Sequence, residues 1–360
     1  MYKKKIGVVV AGVGNVGEVF LAQFPAQIKK LSKFAEVSLI GAMNSRGVYY
    51  SFSGIDPKCV IEELVNDTDS QCAHTFRRKL TNSGFDECVL IDITDSHDFS
   101  AQYVQWLNAG SHIISANKNT GAGKLDFYNE VKETAKEREL WWHCNATVGA
   151  GLPIQYAINN LVNSGDEIMA LNGVLSGTLS WLCGHFDGSK PFSDLLFEAK
   201  EQGITEPDPR DDLSGLDVQR KLLILARELG LPLELNDVAL TPLLPECLLS
   251  MPWHDFIDNL QVLNSHMDHL LIQAQRNNQV LCFGASLELD GNGHCKAQVG
   301  PQFVDAGHPF STVRPGDNII MVHSKWYSDS PLVIQGPGAG RLVTAGALHS
   351  DLYELCQRVA

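Results

Sequence analysis

Short unbroken apolar runs alternate along the first part of the chain with segments whose apolar residues return every three or four positions, a pattern that predicts parallel strands joined by amphipathic helices. Residues 6–11 form the first such run, β-branched and free of charge, as expected of a strand buried on both faces. Runs at 37–43, 89–93, 112–115 and 140–145 predict four more strands, with helices over 16 to about 24, 99–108 and 124–138; residues 51–86 read as irregular and polar. Residues 1–145 are therefore expected to form one α/β domain. Beyond them the pattern changes: helices are predicted over 154–163, from Ser176 and over 192–202, with a strand over 170–175 between the first two. One long amphipathic helix over 253–275 precedes strand-like runs at 280–289, 295–303, 318–323 and 332–335. Hairpin signals at 290–293 and 315–317 lie between these runs, so an antiparallel sheet is expected in a second, α+β domain over 146–337. A last helix running through Leu355 is expected to return residues 338–360 to the first domain.

A chain of 360 residues exceeds what one core usually supports, in keeping with two domains, and 44% hydrophobic residues suffice for both. The net charge of -14 and pI near 5.3 argue against a nucleic-acid or anionic-membrane partner, either of which demands a basic face, and make small-molecule chemistry the default. Nine cysteines, an odd number without a C-x-x-C pair, fit reduced thiols in a cytoplasmic protein. No zinc spacing is present, and no segment is long enough to span a bilayer. Lys3 to Lys5 followed by an apolar run imitates a secretory signal, but the run is short and passes into a glycine motif without a small-residue cleavage site.

That motif is Gly12, Gly14 and Gly17, a G-x-G-x-x-G placed where a strand ends and a helix begins, so that backbone amides face a pyrophosphate. The domain is thus expected to be a Rossmann-type, doubly wound parallel sheet. NAD-specific sites carry an acid at the tip of the second strand; here the tip reads Asn44, Ser45, Arg46, which favours the 2′-phosphate of NADP, with NAD retained as possible. Thr94 and Lys118, at carboxyl ends of later strands, are candidate cofactor or substrate contacts, and Gly338 lies in the glycine run before the last helix. The glycine-rich crossing TVGAGLP at 147–153 is a hinge or a set of carbonyls for a monovalent cation. Thr178, in the Ser176-Gly177-Thr178 opening of a helix, is placed to meet a substrate carboxylate.

Residues 203–221 organise the second domain. Pro207 and Pro209 are expected to forbid a helix and to crowd Glu206, Asp208, Asp211 and Asp212 on a stiff loop, suited to a substrate ammonium. Divalent-metal binding by residues 208, 211 and 212 is the rival, although the loop lacks the glycine of an EF-type turn. Ser214, three residues before Asp217, predicts the next helix start in S-x-x-D form, and Gly230 and Pro232 end that helix. Asp217 and Lys221 then share a face at the edge of the apolar stripe Val218, Leu222, Leu225 and Leu229. Taken alone, such a pair is most often a solvated ion pair; the acids before it point to a proton donor beside a bound amino acid.

Over essentially its whole length the chain resembles the homoserine dehydrogenases. The resemblance rests on GxGNVG at 12–17, NSR at 44–46, SANK at 115–118, TVGAGLP, LSGTLS at 175–180, EPDPRDDLSGLDVQRK and GPGAG at 336–340. It implies reversible NAD(P)H-dependent reduction of L-aspartate 4-semialdehyde to L-homoserine, on the route to threonine and methionine, by a homodimer whose second domain supplies the substrate site and the subunit contact. It also implies cofactor contacts at Gly12, Gly14, Asn15, Val16, Gly17, Arg46, Thr94 and Gly338. Glu206 and Asp212, with Thr178, are implied to bind substrate, Asp217 and Lys221 to serve catalysis, and Lys118 to lie between cofactor and substrate. Carbonyls of Val148, Ala150 and Leu152 are implied to hold Na⁺, in a family some of whose members carry a glutamate where this chain has Asn145. Neither a fused kinase nor an appended regulatory domain is expected. The chemistry fits: hydride arriving at an aldehyde carbon leaves an alkoxide that a lysine ammonium protonates. Two other readings remain open, a sensor that binds NADP and an amino acid without turnover, and an oxidoreductase for another small amino or hydroxy acid.

Overall fold

The structure, a computed structural model, describes residues 3–66, 73–291 and 294–360. It divides into two compact units, Met1–Gly151 with Ala339–Ala360, and Leu152–Gly338. No described helix is long and apolar enough to cross a membrane, and every described cysteine is a free thiol.

The first unit is built on β1 (Lys5–Ala11), whose every residue after Lys5 is buried. Alternation sends Val8 and Val10 to one face, against Phe20, Phe24, Leu348 and Leu352, and Val9 and Ala11 to the other, against Phe76, Trp106 and Leu107. Burying both faces is what a run without charge requires. With β2 (Glu36–Met43), β3 (Val48–Tyr50), β4 (Glu87–Asp92), β5 (Ser111–Ser115) and β6 (Trp142–His143), the sheet has the order β3-β2-β1-β4-β5-β6. All neighbours are parallel except the edge pair β2 and β3. This is the expected Rossmann-type doubly wound sheet.

Several elements differ from expectation. The helix expected to stop near Phe24 runs from Asn15 to Leu31 through Pro25, because the packing of its buried face outweighs one lost backbone bond. Residues 51–86, expected to be irregular, contain the helices Val60–Asn66 and Ala73–Leu80, too short and charged to show a period; 67–72 of this stretch lie outside the described residues. The strand expected over 140–145 is only Trp142–His143, because the Thr147 amide and hydroxyl close on the Cys144 carbonyl at 3.0 and 2.6 Å and wind the chain into a turn. The helix expected over 99–108 is two, His97–Ser100, started by the Ser96 side chain, and Tyr103–Asn108.

The second unit holds β7 (Ile168–Val174), β8 (Val238–Leu240), β9 (Gln279–Leu289), β10 (Cys295–Asp305), β11 (Asp317–Ser324) and β12 (Leu332–Pro337), in the order β12-β11-β7-β9-β10-β8. It is antiparallel except where β8 joins β10 in parallel, an edge strand the pattern did not disclose. The turn at 315–317 leads into β11 without forming a hairpin with β10, whose two edges are already taken by β9 and β8. At the other hairpin signal, residues 292–293 lie outside the described residues; β9 and β10 flank it as antiparallel neighbours. The long helix expected over 253–275 breaks into Trp253–Asp258 and Leu260–Arg276, where the Asn259 carboxamide takes the Asp255 carbonyl at 2.8 Å. β9 is buried continuously from Leu281 to Leu287, and Phe310 and Val313 help cover Cys282, Ile319 and Met321.

The helix Arg341–Val359 packs in the first unit against Asn15–Leu31, where the His349 ring stacks on Phe20 at 4.1 Å and its Nε2–H donates to the Phe20 carbonyl at 3.2 Å. Nδ1 is buried without a partner, and burial holds the imidazole down at about 4. The unfolded chain takes a proton near 6.5 that the folded chain refuses until about 4. This contribution, roughly 3 kcal/mol, is therefore complete above pH 6.5 and lost as pH falls toward 4. Thermal midpoints should drop over that window in the parent and less steeply in His349→Phe; parallel curves for the two proteins would contradict this account.

Candidate active site

In the first unit the glycine motif turns the chain from β1 into a helix. Gly12 has φ 93°, and a Cβ there would lie 2.8 Å from the Ile93 carbonyl, so only glycine makes this turn against the end of β4. A Cβ on Gly17 would lie 2.1 Å from the Gly12 oxygen, which fixes how closely the helix approaches the turn. Gly14 has open space before it and is the helix N-cap with no side-chain cap bond. The helix dipole and the amides that begin at Asn15, Val16 and Gly17 thus open onto the unfilled space beside Gly14.

The neighbouring strand tips are pinned by buried polar groups. Asp92, the last residue of β4, is fully buried; its Oδ1 accepts from the Thr94 amide at 2.8 Å and hydroxyl at 2.7 Å, and its Oδ2 from Tyr103 at 2.6 Å and Asn117 Nδ2 at 3.2 Å. Burial pushes this carboxyl up, against the pull of those four bonds. Lys118, half-buried, follows Asn117 on the β5 tip. At the β2 tip the Asn44 carboxamide accepts from the Arg46 and Gly47 amides at 2.8 and 3.2 Å, a turn that presents Ser45 and Arg46 to solvent.

In the second unit, Asp217 and Lys221 are one turn apart on the helix Leu216–Glu228. Only 8% of Lys221 is exposed, and its Nζ lies 2.8 Å from Asp217 Oδ2 and donates to the Leu175 carbonyl at 2.7 Å. Both partners are acceptors, so the arrangement suits an ammonium. The carbonyl belongs to the residue that follows β7, just before Ser176 caps the helix Gly177–His185 by accepting from the Leu179 amide at 3.2 Å. Thr178, in that first turn, donates to the Ile204 carbonyl at 2.8 Å and also reaches the Asp212 carboxylate. Asp212 Oδ2 accepts from the Glu206 amide at 2.8 Å. Burial pushes the Asp212 carboxyl up, the Glu206 amide and Thr178 hydroxyl pull it down, and the charges of Glu206 and Asp217 push it further up. Glu206, Asp212 and Asp217 therefore sense one another's charge beside a lysine.

The acidic stretch is not the loop expected. Pro209 occupies the first position of a short helix, Pro209–Leu213, where its missing N–H costs nothing, and Asp208 caps it. Asp208 is also bound to Arg210, at 2.9 and 3.0 Å from Nε, and this bond holds its carboxyl below the usual range. Arg210 in turn packs on Trp253 and Phe256 and donates to the Met251 carbonyl. Asp208 thus works as a brace, Asp211 is exposed, and Asp212 faces the lysine's neighbourhood. The divalent-metal rival loses its ligand set: among the described residues no group of three His, Cys, Asp or Glu side chains is placed to hold a metal. Ser214 does not start the helix Leu216–Glu228 either. Its N-cap is Gly215 at φ 74°, where a Cβ would meet the Phe283 ring at 2.5 Å.

Gly338 lies against Asn318, whose Nδ2 would be 1.9 Å from a Cβ there. Gly149 and Ala150 both have positive φ, 74° and 49°; Val148 and Ala150 are buried in the first unit, while Leu152 begins the second and its carbonyl accepts from Ile154 at 2.8 Å. Backbone oxygens are the donors a monovalent cation takes, so this segment is chemically suited to one.

Residues 153–353 match the family model for homoserine dehydrogenase. The chain belongs to the homoserine dehydrogenase family. It is 40% identical, over 99% of its length, to the bifunctional aspartokinase/homoserine dehydrogenase 2 of Escherichia coli K12, and it spans 44% of that relative, less than half of its length. In structure it is similar to a Candida auris protein of unknown function, with TM-score 0.88, 28% identity and 99% of each chain covered. It also shares the fold of a hyperthermophilic archaeal homoserine dehydrogenase solved in complex with NADPH, with TM-score 0.71, 20% identity and 97% of each chain covered.

Within this family frame, the second unit brings together five of the expected residues, Thr178, Glu206, Asp212, Asp217 and Lys221. The first brings the glycine turn beside Thr94 and ties the Thr94 and Lys118 tips through Asp92 and Asn117. Asp92, Asn117 and the Leu175 carbonyl escaped the sequence reading. A lone carboxylate inside the otherwise apolar run at 89–93 was the available signal for Asp92; a carbonyl leaves no signal at all.

Proposed function

We propose that this homoserine dehydrogenase family member reversibly reduces L-aspartate 4-semialdehyde to L-homoserine with NAD(P)H, in the biosynthesis of threonine and methionine. The observation that carries the reading is Lys221, held as a donor by Asp217 and the Leu175 carbonyl in the company of Glu206 and Asp212. The open glycine turn and uncapped helix N-terminus support dinucleotide binding, with Gly12, Gly14, Asn15, Val16 and Gly17 toward the pyrophosphate and Thr94, Lys118 and Gly338 as further contacts. Arg46, without a carboxylate on its turn, favours the 2′-phosphate, and an archaeal protein of the same fold has been solved with NADPH.

A nicotinamide dinucleotide, when bound, would supply hydride chemistry at the aldehyde carbon. Lys221 provides the proton for the oxygen that gains charge, and Asp217 keeps it a donor. Glu206 and Asp212 attract the substrate ammonium, while Thr178 and the helix start beside it address the carboxylate. A homodimer, a cytoplasmic location and a structural Na⁺ on the carbonyls of Val148, Ala150 and Leu152 belong to the same proposal; no chemical step depends on the ion.

NADPH consumption with aspartate semialdehyde, against a panel of other aldehydes and keto acids, tests the substrate. Lys221→Met should keep the fold and NADPH binding while kcat falls by about 10²- to 10⁴-fold, the usual worth of a positioned acid. Glu206→Gln and Asp212→Asn should chiefly raise KM for the aldehyde. Near-normal turnover in Lys221→Met, or a larger loss in Lys118→Met, would remove Lys221 from the role of donor.

Catalytic efficiency should be higher with NADPH than with NADH, and Arg46→Ala should erode the difference. Equal efficiency with both cofactors, unchanged by the substitution, would refute the assignment of Arg46.

A further inference from the structure

The Asp92 carboxylate is the hub of a buried polar network that no step of the proposed chemistry uses. Asp92, Tyr103 and Ser115 are fully buried and Asn117 is 2% exposed. A carboxylate has only acceptor oxygens, and here both are engaged: Oδ1 by the two donors of Thr94, Oδ2 by Tyr103 and Asn117. Asn117 spreads the connection. Its Nδ2 also donates to Thr94 Oγ1 at 3.2 Å and the Ser96 carbonyl at 2.9 Å, and its Oδ1 accepts from the Asn119 amide at 2.9 Å. Asn119 Nδ2 reaches back to the Asp95 carbonyl at 2.8 Å. Lys118 therefore emerges from a loop pinned on both sides, and Thr94 is pinned by both its amide and its hydroxyl. The Thr94 amide also lies 2.9 Å from where a Gly12 Cβ would be, so the seat of the glycine turn depends on the same tip.

Asp92 touches none of the surface a ligand would meet. Buried carboxylates are costly unless fully bonded, and an apolar residue, such as the buried Ile91 one position earlier, would occupy the strand more cheaply. What the acid adds is a fixed geometry of two tips. We infer that Asp92 is a positioning residue that, with Asn117, sets the affinity of this protein for its nicotinamide dinucleotide by holding the Thr94 and Lys118 tips in the binding shape. The inference rests on the dinucleotide-binding part of the proposed function.

Asp92→Asn is the informative variant. Its carboxamide oxygen still accepts from Thr94, but its NH2 is set against Asn117 Nδ2, donor against donor, so the link between the tips is lost at nearly constant volume. NADPH binding is read directly by fluorescence titration, without turnover, beside steady-state kinetics and thermal melts. The expected result is a rise of about tenfold or more in the Kd and KM for NADPH, with KM for aspartate semialdehyde within about twofold of the parent. Asn117→Ala should show the same split, and it decides the matter if Asp92→Asn does not fold. The double variant should be little worse than Asp92→Asn alone, since both break one network. A folded variant with unchanged NADPH affinity, equal rises in both KM values, or effects that simply add would overturn the inference. Parent protein that binds NADPH but leaves aspartate semialdehyde unreduced would refute the proposed substrate while the binding comparison still decides the role of Asp92. Parent protein that binds neither NADPH nor NADH refutes the dinucleotide reading and this inference together.

Discussion

An ammonium withdrawn from water must be met by acceptors that are themselves held in place, and Lys221 imposes that condition on the second unit. One acceptor, Asp217, comes from the same helix at a spacing of four. The other is the Leu175 carbonyl, at the end of a strand more than forty positions earlier in the chain. For both to meet one nitrogen, β7 must end where it does and the helix Leu216–Glu228 must begin at Gly215, seated against Phe283. The caps at Ser176 and Asp208, and the Arg210 brace against Trp253 and Phe256, then determine where Thr178 and Asp212 lie relative to that nitrogen. The chemistry proposed for the site is a consequence of this arrangement more than of any single side chain.

The first unit satisfies a different constraint. A sheet strand with no polar face needs apolar cover on both sides, and the two packing clusters against β1 provide it. That leaves the strand ends as the place where backbone amides and polar side chains meet solvent, and there the unit uses three devices: glycines that permit a close turn, an asparagine turn that presents Arg46, and a buried acid that joins two tips. The last two replace loose backbone by a structure with its polar groups paired.

Much of this was legible in the order of residues. Strand and helix periods, the glycines between 12 and 17, the turn at 44–46 and the spacing of Asp217 and Lys221 are local facts, and local facts survive translation into structure. The misread elements share a cause. The helix expected to end near residue 24 continues through Pro25; the stretch around Pro207 and Pro209 is expected to be a loop, and the second proline begins a helix; the long run at 253–275 breaks at Asn259. In each case a position compatible with two conformations was decided by packing or by a side-chain hydrogen bond outside the local pattern.

By itself, the sequence determined the two kinds of sheet, the glycine turn, the excess of acid before the helix Leu216–Glu228 and the one-turn spacing of Asp217 and Lys221, because periodicity and spacing follow from backbone geometry alone. Only the tertiary structure decided which of four neighbouring carboxylates faces the lysine, that Gly215 in place of Ser214 starts the helix, that a backbone carbonyl completes the lysine's partners, and that Asp92 ties two strand tips together. Those outcomes depend on contacts between residues far apart in the chain, where burial and the demand that every buried polar group find a partner choose among options the local sequence leaves equal.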